Sequence, residues 1–179
     1  MMPKSITVGE LLNNEHYVQV TGDEKSLERP IYVAEINRPG FELAGFFKHS
    51  DFRRIIIFGD KESAFINEMS EERQREIFPF LINDEVPCII VAKGNECPAI
   101  LIEIARKKDF PIFITESATG RVSIELTNIL DEALAPETLI HGVFLNIYGK
   151  GVIIKGDSGI GKSEIALESV SYTHLRAHE

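Results

Sequence analysis

Val152-Ile153-Ile154-Lys155-Gly156-Asp157-Ser158-Gly159-Ile160-Gly161-Lys162-Ser163-Glu164-Ile165-Ala166-Leu167 is an apolar run, a glycine-rich turn and a helix-forming run in direct succession. Residues Gly156 to Ser163 fit G-x-x-x-x-G-K-[ST] at every fixed place, and the order strand, loop, helix is the setting that this phosphate-binding motif requires. Gly156 and Gly161 are expected to let the backbone curl at positive φ and approach phosphate oxygens that a Cβ would block. Successive N–H groups then form an anion nest, and the helix opening near Lys162 adds the positive end of its dipole. Lys162 is placed to reach β- and γ-phosphates as a point charge. Ser163 is placed to offer its hydroxyl oxygen to Mg²⁺. Asp157, Ser158, Gly159 and Ile160 complete the loop as binding residues. Four fixed positions would match in roughly one random chain in a hundred of this length. The spacing G-x-x-G-x-G rejects a dinucleotide fingerprint, which needs G-x-G-x-x-G.

Working back towards the N-terminus, Gly142–Ile147 and Gly151–Ile154 are two apolar runs separated by Tyr148, Gly149 and Lys150, which reads as a β-hairpin feeding the loop. Leu134 to Thr138, with Pro136 at its centre, is the expected domain boundary. Before it, apolar runs at Arg53–Gly59, Val86–Lys93 and Pro111–Thr115 alternate with helical stretches at Ser63–Met69, Ser70–Asn83, Pro98–Lys108 and Thr119–Leu134. Ile55, Ile56, Ile57 and Phe58 form an unbroken apolar run, as a strand buried on both faces does. The alternation predicts a small α/β domain with a mainly parallel sheet over residues 1–134. A truncated start of a second, P-loop domain (hairpin, loop and helix) follows over 135–170. Nearer the start, the sequence predicts a short helix over Ser5–Leu12 capped by Ser5 or Thr7, a strand at Tyr17–Thr21, and a turn at Asn37-Arg38-Pro39-Gly40 that stops the run Ile31–Ile36.

Composition narrows the function. The 179 residues carry 28 Asp and Glu against 19 Lys and Arg, a formal charge of −9, which disfavours a nucleic-acid partner but not a nucleotide held locally by a loop. Cys88 and Cys97 form no ligand cluster and read as small buried hydrophobes. No stretch approaches the length of a membrane span and no signal peptide opens the chain, so a cytoplasmic protein is expected. Residues 1–130 show no acid–base pair, metal cluster or nucleophile with a base. His141 lies at the start of the hairpin, 21 positions before Lys162. By chemistry alone a lone histidine is more often structural than catalytic. His16 and His49 are read as surface or structural residues.

The string Leu139-Ile140-His141-Gly142-Val143, with Tyr148-Gly149, Gly151-Val152 and the loop Gly156–Ser163 followed by Glu164, resembles the bacterial HPr kinase/phosphorylases. So do Asn37-Arg38-Pro39-Gly40-Phe41-Glu42-Leu43 with Gly45, and the run Val86–Val91. The resemblance covers about residues 5 to 168. It implies a bifunctional enzyme of carbon catabolite repression that phosphorylates a serine of HPr, the phosphocarrier of the sugar phosphotransferase system, with ATP or pyrophosphate and Mg²⁺. The same enzyme removes that phosphate by phosphorolysis and works as a homohexamer. Position by position, Gly156–Ser163 would bind ATP, Ser163 would ligate Mg²⁺, and His141 and Lys162 would be active-site residues. The family's catalytic aspartate, metal-binding glutamate and later arginine come after the P-loop helix, so the chain is expected to be a fragment inactive alone. Residues Ser171–Glu179 depart from the family pattern and are read as a non-native tail. A non-catalytic nucleotide-binding regulatory module is the alternative, and an unrelated P-loop ATPase a third reading.

Overall fold

A computed structural model describes residues 4–138 and 140–175, with backbone alone for 172–175. They divide after Ala135 into two compact units. Leu139 of the resembling string and residues 176–179 of the tail lie outside the described residues.

The first unit runs β1 (Ile6–Thr7), α1 (Val8–Leu12), β2 (Val18–Thr21), β3 (Pro30–Ile31), β4 (Ile36–Asn37), α2 (Gly40–Leu43), β5 (Ile55–Phe58), α3 (Asp60–Glu68), α4 (Glu71–Leu81), β6 (Ile89–Val91), α5 (Ala99–Lys107), β7 (Ile112–Ile114) and α6 (Thr119–Leu134). Its five-stranded sheet has the order β2-β7-β6-β5-β4. Strands β4 to β7 are parallel, and β2 lies antiparallel on β7, so the α/β class with a mainly parallel sheet holds. Successive parallel strands are neighbours, and right-handed crossovers between such strands put their connecting helices on one face. Helix α6 comes after the last parallel strand and is free to cover the other.

Side-chain alternation along the strands feeds both faces. Ile56, Phe58, Ile89, Val91 and Ile112 pack with Ile66, Ile77, Phe78, Leu81 and Leu101 from α3, α4 and α5. Ile55, Ile57, Ile90, Ala92 and Phe113 pack with Val8 and Leu11 of α1 and Val122, Leu126 and Leu130 of α6. This is why Ile55 to Phe58 carries no polar residue: each of the four is 1% exposed or less.

Local chemistry sets the helix starts. The Thr7 hydroxyl accepts from the Glu10 N–H at 3.2 Å, and Glu10 Oε2 accepts from the Thr7 N–H at 2.8 Å, so Thr7 and not Ser5 opens α1 with a reciprocal cap. Ser70 Oγ accepts from the Arg73 N–H at 3.3 Å and opens α4. Helix α3 begins at Asp60, three residues before the expected Ser63. Glu62 Oε2 accepts the Gly59 N–H at 2.9 Å, and two carboxylates sit in the first turn, where the helix dipole favours them.

The region of residues 30–43 departs from expectation. Ile31–Ile36 is not one run: Pro30–Ile31 pairs with Ile6–Thr7 in a separate two-stranded sheet, while Ile36–Asn37 joins the main sheet. The expected turn leads into a helical turn, α2, closed by Leu43 N–H donating to Pro39 O at 2.9 Å. Tertiary contacts hold it. Leu43 enters the core, and the buried Glu42 carboxylate accepts from Ser50 Oγ at 2.8 Å and Asn37 Nδ2 at 3.3 Å.

The second unit holds β8 (Gly142–Ile147), β9 (Lys150–Lys155) and α7 (Lys162–Leu175). The hairpin closes on two residues, Tyr148 (φ 50°) and Gly149 (φ 78°), the left-handed pair that matches the twist of flanking strands. Lys150 belongs to β9, opposite Ile147.

Candidate functional site

Strand β9 runs straight into Gly156, and α7 starts at Lys162, so the motif spans the junction. Positive φ occurs at Gly159 (82°) and Gly161 (89°). Gly156 was expected to share this conformation and does not. Its lack of a side chain matters for space instead, since a Cβ there would stand 3.1 Å from Ile160 Cγ2. The left-handed demand at Gly159 falls on a variable place of the motif and is invisible to the pattern.

Lys162 folds across the loop, its Nζ donating to the Gly156 carbonyl at 2.8 Å and to that of Asp157. The ammonium therefore sits at the loop's mouth. Asp157, Ser158, Gly159 and Ile160 are exposed, and so is Ser163, one residue into α7. The first N–H groups of a helix have no partner inside it, so this end of α7 presents donors together with one lysine. The first helical bond, Ile165 N–H to Gly161 O, is 3.1 Å. In Gly161→Ala, a side chain would be forced to φ 89° and to 2.9 Å from Glu164 Oε2. We expect affinity for nucleotide phosphate to fall about tenfold, by roughly 1–2 kcal/mol of backbone strain. Titration calorimetry against wild type checks this.

Among the described residues no group of three or more His, Cys, Asp or Glu could hold a metal. The donor present is the Ser163 hydroxyl beside the loop. This fits magnesium, which keeps several waters and is usually carried by one or two protein oxygens plus phosphates.

His141 is exposed and precedes β8 by one residue. The hairpin register ends on the pair Gly142–Lys155, and His141 and Gly156 are the next residue beyond it on either side. The fifteen positions that separate His141 and Gly156 are thus folded back by the hairpin, and both residues lie at its open end, where the loop leads on to Lys162. His16 and His49 lie exposed in the other unit. Cys88 is wholly buried and Cys97 partly so. Burial raises both thiols, Cys97 to about 12, and keeps them protonated and unreactive. No helix among the described residues is long and apolar enough to cross a membrane.

Residues 6–130 match the family described as HPr Serine kinase N terminus, and residues 132–176 the HPr Serine kinase C-terminal domain. An HPr kinase/phosphorylase of Bacillus cereus (strain AH820) is 38% identical over 173 residues, 97% of this chain and 55% of the relative. The HPr kinase/phosphorylase of Bacillus mycoides (strain KBAB4) is 39% identical, and that of Bacillus anthracis (strain A0248) 38%, each over the same 97% of this chain and 55% of the relative. The chain spans about half the length of the curated relatives it matches.

Proposed function

This chain belongs to the HPr serine kinase family, and from that premise we propose that it is the front half of an HPr kinase/phosphorylase. The complete enzyme transfers a phosphoryl group from ATP or pyrophosphate to a serine of the HPr phosphocarrier, and reverses the step with inorganic phosphate. The observation that supports this reading best is the loop Gly156–Ser163, with its two left-handed glycines, between β9 and α7.

In the forward step the serine oxygen bonds to the terminal phosphorus, the bond from phosphorus to the leaving phosphate breaks, and the serine proton passes to a carboxylate. That carboxylate belongs, by the family resemblance, to the part of the enzyme that follows α7. The residues of this chain bind and orient. Backbone N–H groups of residues 156–163 cradle the phosphates, and Lys162 exchanges its loop carbonyls for β- and γ-oxygens. His141 stands beside the transferring group as an active-site residue. Ser163 would hold magnesium through its hydroxyl oxygen, and the bound ion would neutralise charge developing on the phosphates. The first unit, which ends at Ala135, serves as scaffold or recognition surface. The complete enzyme works in the cytoplasm as a homohexamer that couples sugar supply to carbon catabolite repression.

Titration calorimetry of this chain with ATP or pyrophosphate in magnesium tests the reading. Heat of binding is expected, with no phosphorylation of HPr by the chain alone. No uptake of either ligand by folded protein would overturn it.

A further inference from the structure

The hairpin register that brings His141 beside the phosphate loop is fixed at its closed end by Tyr148 and Gly149. At its open end it depends on Gly142, a residue whose φ is not left-handed. A Cβ built on Gly142 would stand 2.7 Å from the Ile154 carbonyl oxygen and 3.1 Å from Ile153 Cγ2. The first distance is one that Cβ atoms essentially never show, and the obstacle is backbone rather than the tip of a flexible side chain. Strands β8 and β9 approach this closely only because residue 142 has no side chain.

The position matters because of what lies on either side. Gly142 pairs with Lys155, the last residue of β9. Immediately beyond that pair, His141 precedes β8 and Gly156 follows β9, and the Gly156 carbonyl accepts from Lys162 Nζ at 2.8 Å. A side chain at 142 must push the open end apart. The displacement falls on His141, which has no strand pairing of its own, while the six-pair ladder anchors β9 and the loop.

We propose that Gly142 is a positioning residue for phosphoryl transfer: its missing side chain lets β8 close on β9 and sets His141 against the mouth of the phosphate loop. The proposal rests on the kinase/phosphorylase reading, and on His141 acting in it.

The experiment is a mutant cycle in the complete enzyme, with Gly142→Ala, His141→Ala and the double variant, measuring kcat for HPr phosphorylation and, separately, Kd for ATP with magnesium. Gly142→Ala is expected to lower kcat about tenfold or more while Kd stays within about threefold, since the loop itself is untouched. The double variant is expected to be no slower than His141→Ala, because a residue acting through the histidine has nothing left to lose. Losses that multiply would overturn the positioning role and leave the function standing. So would a Gly142→Ala enzyme that has lost ATP binding, since the glycine would then serve the loop's fold. A His141→Ala enzyme of full rate would overturn both this proposal and the role assigned to His141, whereas absent ATP binding in wild type would sink the proposed function itself.

Discussion

Lys162→Ala is expected to weaken binding of ATP and pyrophosphate by about 100-fold or more. The side chain is the one cation within Gly156–Ser163, and its ammonium already stands at the loop's mouth on the carbonyls of Gly156 and Asp157. Charge-assisted hydrogen bonds to phosphate contribute about 1.5–3 kcal/mol each, and tenfold in affinity corresponds to about 1.4 kcal/mol. A lysine spanning two phosphates therefore accounts for at least two orders of magnitude. Folding should hardly notice, because the bonds lost are at an exposed loop, and the change in stability should stay within about 0.5 kcal/mol. Calorimetry and urea denaturation on the same preparation separate the two quantities. Lys155→Ala, which removes an equal charge one residue before the loop, is the control, and there only a few-fold change is expected. Equal losses in the two variants would mean that net charge, and not the geometry of the loop, attracts the ligand.

Phe58→Ala is expected to destabilise the first unit by about 3–5 kcal/mol. Phe58 is fully buried at the end of β5, and packs on the face that α3, α4 and α5 cover. Removing the ring leaves a cavity that the flanking strands cannot close, since β5 is hydrogen-bonded on both sides, to β4 and β6. A domain of this kind is stable by only about 5–15 kcal/mol, so the variant should unfold at markedly lower urea, with a similar slope. Phe41→Ala provides the contrast. Phe41 is 77% exposed on α2 and touches Phe46 edge-on, and its loss should change stability by less than about 0.5 kcal/mol.

The sheet was legible because burial on both faces leaves a signature no other element shares. The run Ile55 to Phe58 has no polar residue, and the apolar stretches at Ile89–Val91 and Ile112–Ile114 repeat it. The helices between them were legible from spacing, while cap chemistry narrowed the start of α1 to Ser5 or Thr7, of which the structure uses Thr7. What the sequence did not carry was set by tertiary contact. The turn after Pro39 coils into α2 because Leu43 packs into the apolar core and the Glu42 carboxylate is held by Ser50 and Asn37. The start of α3 moved because Glu62 reaches back to Gly59. At the candidate site the loop was readable from its fixed positions. The left-handed Gly159 was not, because the motif leaves that place open, and the role of Gly142 depends on a carbonyl of the facing strand. His141 was ambiguous in sequence for the same reason, since only strand register shows that its neighbour Gly142 pairs with Lys155, the residue before Gly156.

The two flanks of the five-stranded sheet differ from its centre in a way that bears on solubility. On one flank β4 is only Ile36 and Asn37, with Pro39, which has no N–H, two residues on, and on the other β2 loses regular register between Gln19 and Thr21. Neither border presents a long flat row of free amides and carbonyls on which a foreign chain could template itself. Concentrated solutions of the first unit should therefore resist the ribbon-like, edge-to-edge aggregation to which sheets this rich in isoleucine are otherwise prone.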